Sequence, residues 1–118
     1  MELYTNDFCN MELYDQFVVL TIHKDVLFTL DKASIIRKKL SDYYKAKDFL
    51  MITNRKNNHI ISEDIYKQGK LNNMKGLAIV SNEKIERARA VTEQKLFDKS
   101  FAFFETLDEA KSWAQAYF

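Results

Sequence analysis

The segment ITNRKNNHIIS, residues 52–62, holds the side chains of this chain that are best suited to binding an anion. Two adjacent cations supply positive charge, the asparagines supply hydrogen-bond donors and acceptors, and a histidine titrates near neutral pH. A serine ends the segment where a helix is predicted to begin, and the unpaired N–H groups of a first helical turn favour an anion. The candidate binding residues are Asn54, Arg55, Lys56, Asn57, Asn58, His59 and Ser62. The group they would bind is a carboxylate or phosphate, on a ligand or on a partner protein.

The same segment also has the composition of a solvated loop. Loops are polar because they face water, and asparagine tolerates turn geometry. Ser62 can serve as a helix cap, in which case its replacement by alanine costs about 1 kcal/mol of stability. No spacing in the segment is one that a particular chemistry requires, so both interpretations stay open at the level of sequence.

Catalytic and metal-binding patterns are absent from the sequence. The single cysteine, Cys9, has no second thiol for a disulfide or a metal site, and it is predicted to be a small apolar residue on a strand. The other histidine, His23, is far from His59 and has no patterned acids around it. Two glycines and no proline exclude a glycine-rich phosphate loop. We therefore predict a protein without catalytic residues, metal or cofactor.

Strands and helices alternate along the chain. MELYDQFVVLTIH predicts a hairpin that turns at Asp15-Gln16, since Val18, Leu20 and Ile22 alternate with their neighbours. DFLMIT and LAIVS predict buried strands, and FAFFE predicts the last strand. The order is β-β-α-β-α-β-α-β-α, which predicts an α/β fold with a mostly parallel sheet of four to five strands and an antiparallel N-terminal hairpin.

Four amphipathic helices are predicted between and after these strands. Thr29 caps the first, Ser62-Glu63-Asp64 starts the second with Ile65 inward and Gly69 near its end, and Thr106 to Glu109 form a capping box for the last. The predicted inward residues of the first helix are Ala33, Ile36, Leu40 and Tyr43. Those of the third are Ile85, Ala88, Val91 or Thr92, and Leu96, with Glu86, Arg87, Arg89 and Glu93 outward. Those of the last are Leu107, Ala110, Trp113, Ala114 and Tyr117.

Size and charge narrow the classes of partner. The 118 residues, 47% of them hydrophobic and 30% charged, predict one soluble domain over residues 1–118. A net charge of +1 with interleaved signs gives no basic stripe, so nucleic-acid binding is not expected.

No run is long enough for a membrane span, and the N-terminus lacks the order of a signal peptide, which predicts a cytoplasmic location. Phe103 and Phe104 point to opposite faces of one strand, so an uncovered face would be a surface for a homodimer or another partner.

Three stretches resemble the STAS-like group, named for sulfate transporters and anti-sigma-factor antagonists, and its small bacterial STAS or SEC14-type members. They are DFLMITNRKNNHIISEDIY, MKGLAIVSNEKIERARA and FFETLDEAKSWAQAYF, and the resemblance covers nearly the whole chain. The resemblance implies a regulatory domain whose functional site is the loop after the central strand. Several members carry a phosphorylatable Ser or Thr there, directly after an acidic residue. Here Asn54 stands in the place of the acid and Ser62 is the hydroxyl at the helix start, a departure that argues against kinase control.

Two functions follow. The first is a non-enzymatic regulatory module that binds a protein partner through residues 54–62 and the adjacent helix. The alternative, which the SEC14 resemblance implies, is a domain that binds an anionic or lipid-like small molecule between the sheet and its helices. The volume of the interior separates them, because a carrier needs a preformed cavity of roughly several hundred Å³.

Overall fold

The computed structural model describes residues 1–56, 63–67 and 71–118. Its strands are β1 (Glu2–Thr5), β2 (Cys9–Leu13), β3 (Phe17–Ile22), β4 (Phe49–Asn54), β5 (Met74–Val80) and β6 (Ser100–Phe104). Its helices are α1 (Leu30–Tyr44), α2 (Glu63–Lys67), α3 (Lys84–Leu96) and α4 (Leu107–Tyr117). Within these residues, no helix is long and apolar enough to cross a membrane.

The described strands form one six-stranded sheet in the order in which they occur along the chain. β1, β2 and β3 pair antiparallel, and β3 to β6 pair parallel. Each parallel crossover steps to the next strand in the same direction. Right-handed crossovers then place α1, α2 and α3 on the same face of the sheet, and α4 covers the other face.

Two-residue periodicity along the strands supplies the core on both faces. On the first face, Met11, Leu20 and Phe49 pack with residues of α1, and Ile79 packs beside Tyr66 of α2 and Ala90 of α3. On the second face, strand residues pack against Ala110 and Ala114 of α4; they are Phe17, Val19, Leu50, Ile52, Ala78 and Val80. The sheet is therefore covered on both sides where its strands are parallel, as buried parallel strands require.

The predicted fold class is confirmed, and the hairpin forms where the sequence placed it. Leu13 pairs with Val18, and Tyr14 N donates to Phe17 O at 2.9 Å across the two-residue turn Asp15-Gln16. The structure adds one strand, β1, at the edge of the sheet. The aromatic strand β6 is partly covered on both faces, since half-buried Phe103 packs on the α3 side and half-buried Phe104 on the α4 side.

Local signals placed the starts of α1 and α4 correctly, although Tyr117, predicted on the inward side of α4, is 39% exposed. Thr29 Oγ1 accepts from Lys32 N at the start of α1, and Thr106 Oγ1 accepts from Glu109 N at the start of α4. One detail of α1 differs, because Tyr44 is buried and Tyr43 is half-buried. Both hydroxyl groups reach the sheet edge, where each donates to a backbone carbonyl of the β2–β3 hairpin.

The predicted inward face of α3 is wrong. Glu86 and Glu93 are 0% and 6% exposed, whereas Ile85 and Val91 are 54% and 53% exposed. Ala88 and Thr92 are also exposed, and Leu96 is half-buried. The helix is rotated so that its two carboxylates face the core. The physical reason is a buried arginine from another part of the chain.

Candidate functional site

Arg55 is the first residue after β4, and its side chain points into the molecule. Arg55 N donates to Val80 O at 2.9 Å, which extends the β4–β5 ladder by one residue. Because alternate residues of a strand face the same side, Arg55 shares the face of Met51 and Thr53, under α2 and α3. Its side chain is only 2% exposed.

The guanidinium of Arg55 binds both carboxylates of α3. Nη1 donates to Glu93 Oε2 at 2.5 Å and to Glu86 Oε2 at 3.3 Å, while Nη2 donates to Glu93 Oε1 at 2.5 Å. Tyr66 of α2 donates its hydroxyl to Glu93, and Arg89 Nη1 donates to Glu86 Oε1 at 2.9 Å. We call Arg55, Tyr66, Glu86 and Glu93 the buried cluster. It joins the end of β4 to α2 and α3.

The charges of the buried cluster balance when Arg89 is included, with two carboxylates against two guanidinium groups. Burial alone would lower the pKa of Arg55, but the hydrogen bonds and charge of Glu93 outweigh it and raise that pKa above its usual value. Burial also raises the pKa of Tyr66, and the Glu93 carboxylate raises it further. Arg55 therefore stays charged and Tyr66 stays neutral at neutral pH.

The buried cluster has the properties of a structural element. A bidentate arginine–carboxylate pair is strong and geometrically specific. Both carboxylates are bound by arginines, so neither is presented to a ligand as a general acid or base. Among the described residues, no group of three or more histidine, cysteine or acidic side chains could hold a metal ion.

The remaining predicted site residues divide into two sets. Asn54 is half-buried at the end of β4, and Lys56 is exposed beside it. Asn57, Asn58, His59 and Ser62 lie outside the described residues, as does Gly69, and their predicted roles stay predictions. α2 begins at Glu63, directly after Ser62.

The two other reactive side chains lie away from this site. His23 contacts Asn10 Oδ1 at 3.0 Å and the carbonyl of Asp7 at 3.2 Å, which holds the ring beside the start of β2. Cys9 is fully buried as a free thiol, and burial raises its pKa to about 11. A thiol with so high a pKa is a poor nucleophile.

A mostly apolar cavity of about 90 Å³ lies between the sheet and the helices of its first face. Its floor comes from β3, β4 and β5, and Ile36 and Leu40 of α1 form one wall. Thr53, Asn54, Arg55 and Tyr66 contribute its polar side. The Nε–H group of Arg55 has no hydrogen-bond partner among the described residues.

Sequence reasoning missed the roles of Tyr66, Glu86 and Glu93 in this region. One signal was present, because Met51, Thr53 and Arg55 continue the alternation of β4 onto its covered face. A lone arginine at the end of a buried strand needs a carboxylate partner, and Glu86, Ala90 and Glu93 recur at helical spacing. The hydropathy of Ile85 and Val91 instead predicts that the opposite side of α3 faces the core.

Comparison with known proteins identifies the fold. No protein-family model matches the chain, and no curated protein sequence matches it either. Among solved structures, it is similar to the crystal structure of an uncharacterized protein of the DUF3478 family from Shewanella loihica PV-4, which has a SpoIIAA-like fold. The match has a TM-score of 0.63 and 13% sequence identity, and it covers 96% of this chain and 99% of that chain. The chain therefore has a SpoIIAA-like, STAS-like fold, and the resemblance found in the sequence is confirmed at the level of fold.

Proposed function

We propose that this chain is a single non-enzymatic regulatory domain of STAS-like type that binds a protein partner at the carboxyl end of β4. The observation that carries the proposal is the buried cluster. It fixes the end of β4 to α2 and α3, so that the polar segment after Arg55 starts from a rigid base. Binding residues on a rigid scaffold lose less conformational entropy when a partner binds.

Arg55 and Lys56 have different parts in this proposal. Arg55 is engaged with Glu86 and Glu93 inside the molecule, so it supports the surface from beneath. Lys56 is exposed at the start of the segment and supplies its positive charge. Asn54 and the predicted binding residues Asn57 to His59 and Ser62 complete the proposed surface.

The volume of the cavity favours a protein partner over a lipid. About 90 Å³ is well below the roughly 300 Å³ at which ligand pockets begin. A small anion of a few heavy atoms is the second candidate, and it is supported by the Nε–H group of buried Arg55, which no residue in the described part of the chain accepts from. A lipid-like ligand does not fit this volume.

A comparative pull-down from the lysate of the native host tests the proposal. The baits are the wild-type chain and a variant in which Lys56, Asn57, Asn58 and His59 are all changed to alanine. Lys47→Ala, a change at an exposed lysine between α1 and β4, is the control bait. Arg55 stays unchanged in every bait, because its removal would disturb the core.

We expect a protein that the wild-type and Lys47→Ala baits retain and the loop variant loses by about tenfold or more. The intact mass of the recovered bait shows in the same experiment whether Ser62 or Thr53 carries a phosphate. Equal recovery of every protein by all three baits would contradict the proposal and favour the small-anion candidate.

A further inference from the structure

The outer side of α3 is apolar where a surface helix is normally polar. Ile85 and Val91 are 54% and 53% exposed, and Ala88 and Thr92 between them are exposed as well. At about 100° per residue, these four positions share the side of the helix opposite Glu86 and Glu93. We call them the outer surface of α3.

The same side of α3 carries positive charge alone. Three cations of the helix, Lys84, Arg87 and Lys95, are exposed, whereas Arg89 pairs with Glu86, and the two acids of the helix are the buried Glu86 and Glu93. Turning both carboxylates into the core therefore leaves the exposed side between Lys84 and Leu96 without a negative side chain, and the nearest acid of this element is the exposed Glu83 at its N-cap. Arg87 lies over the ring of Phe103 at 5.1 Å from its centroid, which holds its charge close to the helix.

The burial of apolar area does not select this arrangement. Replacing buried ion pairs with apolar residues of similar volume is often neutral or stabilising, and Ile85 and Val91 would bury apolar area if the helix were rotated. The helix instead buries its charges and exposes its aliphatic residues. Exposed aliphatic residues grouped between charges of one sign are typical of a recognition surface.

We propose that the outer surface of α3 binds an acidic amphipathic helix of a partner protein. Ile85, Ala88 and Thr92 follow helical spacing and form a ridge that fits the groove of a second helix. Glu or Asp residues beside the apolar stripe of that helix would meet Lys84 and Lys95. This goes beyond the function proposed above, because it assigns a second surface and does not depend on residues 54–62.

A protein helix fits this surface better than a lipid bilayer. Helices that lie in the membrane interface bury a broad apolar face, commonly with aromatic residues. The outer surface of α3 offers two large aliphatic side chains and no aromatic one. Its apolar area suits the narrow stripe of one partner helix.

A displayed library of random peptides tests the proposal without a known partner. Peptides of about 15 residues, roughly four helical turns, are selected on the wild-type chain. Binding of the selected peptides is then measured to Ile85→Ser/Val91→Ser and to Lys84→Glu/Lys95→Glu. The controls are Ile35→Ser, at a position 48% exposed on α1, and Lys24→Glu at an exposed lysine after β3.

We expect selected peptides rich in Asp and Glu, with aliphatic residues three and four positions apart. Their affinity should fall about tenfold or more in both α3 variants, and should change little in the controls. All four variants change exposed side chains, so each should fold.

Three results would overturn the proposal. The first is an absence of enriched peptides, and the second is enrichment of peptides that are basic or indifferent to the α3 variants. The third comes from vesicles of phosphatidylcholine and phosphatidylglycerol. If these vesicles bind the wild-type chain but not the α3 variants, and no acidic peptide does so, the surface binds membranes.

Discussion

A single residue, Arg55, connects the sequence to the structure of the candidate site. The sequence places it correctly at the end of a buried strand and at the start of a polar segment. Its partners, Glu86 and Glu93, lie 31 and 38 residues further along the chain, on another element. The alternation of β4 indicates that Arg55 faces the core, but no local pattern identifies its partners over that distance, and the polar segment that follows suggested instead that its charge lies on the surface.

Lys56 shows what the sequence could predict at this site. Its exposure follows from its place beyond the last residue of β4, at the start of a polar segment that is expected to face water. Substitution of Lys56 therefore probes the surface, and substitution of Arg55 probes the core. A variant that changes both residues would mix loss of recognition with loss of stability.

Cys9 provides a prediction for pH at the scale of one residue. Its pKa is raised by burial from 9.0 to about 11, so the folded chain holds the thiol proton more tightly than the unfolded chain. Stability is then retained below pH 9 and falls as the pH rises towards 11. The contribution of this one group to the change in unfolding free energy with pH approaches about 1.4 kcal/mol per pH unit.

Urea unfolding of the wild type and Cys9→Ala between pH 8 and 11 measures this slope. The variant should lose less stability over that range, although it begins lower because of the cavity left by the thiol. Parallel curves for the two proteins would show that the thiol titrates normally in the folded state.

At the scale of elements, α4 and α3 show when sequence patterns suffice. The start of α4 is fixed by Thr106 and Glu109, and its inward face by alanines, so all the information is local. The orientation of α3 depends on a cation from β4. The edge strand β1 was missed for a related reason, because its pairing with β2 is what defines it, and its exposed residues carry no clear alternation.

Gly76 gives the prediction that belongs to packing between elements. A Cβ atom at this position in β5 would lie 2.7 Å from Leu50 Cδ2 and 3.4 Å from Ser100 Cβ. Since buried atoms around it are closely packed, Gly76→Ala should lower the free energy of unfolding by about 1–3 kcal/mol.

A double-mutant cycle separates this clash from other causes. Leu50→Ala removes the side chain that the new methyl group meets. The double variant should therefore lose less unfolding free energy than the two single variants lose in sum. Chemical denaturation of the four proteins measures the difference. Additive losses would mean that Leu50 does not limit the space at Gly76.

At the scale of the whole molecule, one sheet supports two proposed surfaces. Three helices cover its first face, and the buried cluster ties the end of β4 to two of them. The segment that starts at Lys56 and the outer surface of α3 are thus attached to one rigid unit. The orientation of α3 links both proposals, since the inward turn of Glu93 holds Arg55 inside and leaves Ile85 outside.

Urea unfolding of Ile85→Ala beside Glu93→Ala tests this orientation of α3. We predict that Glu93→Ala lowers the free energy of unfolding by about 3–5 kcal/mol, because it leaves Arg55 without its main partner in the core. Ile85→Ala should cost less than about 1 kcal/mol, as expected for a half-exposed side chain. A large loss of unfolding free energy in Ile85→Ala, together with little change in Glu93→Ala, would show instead that the apolar side of α3 faces the sheet.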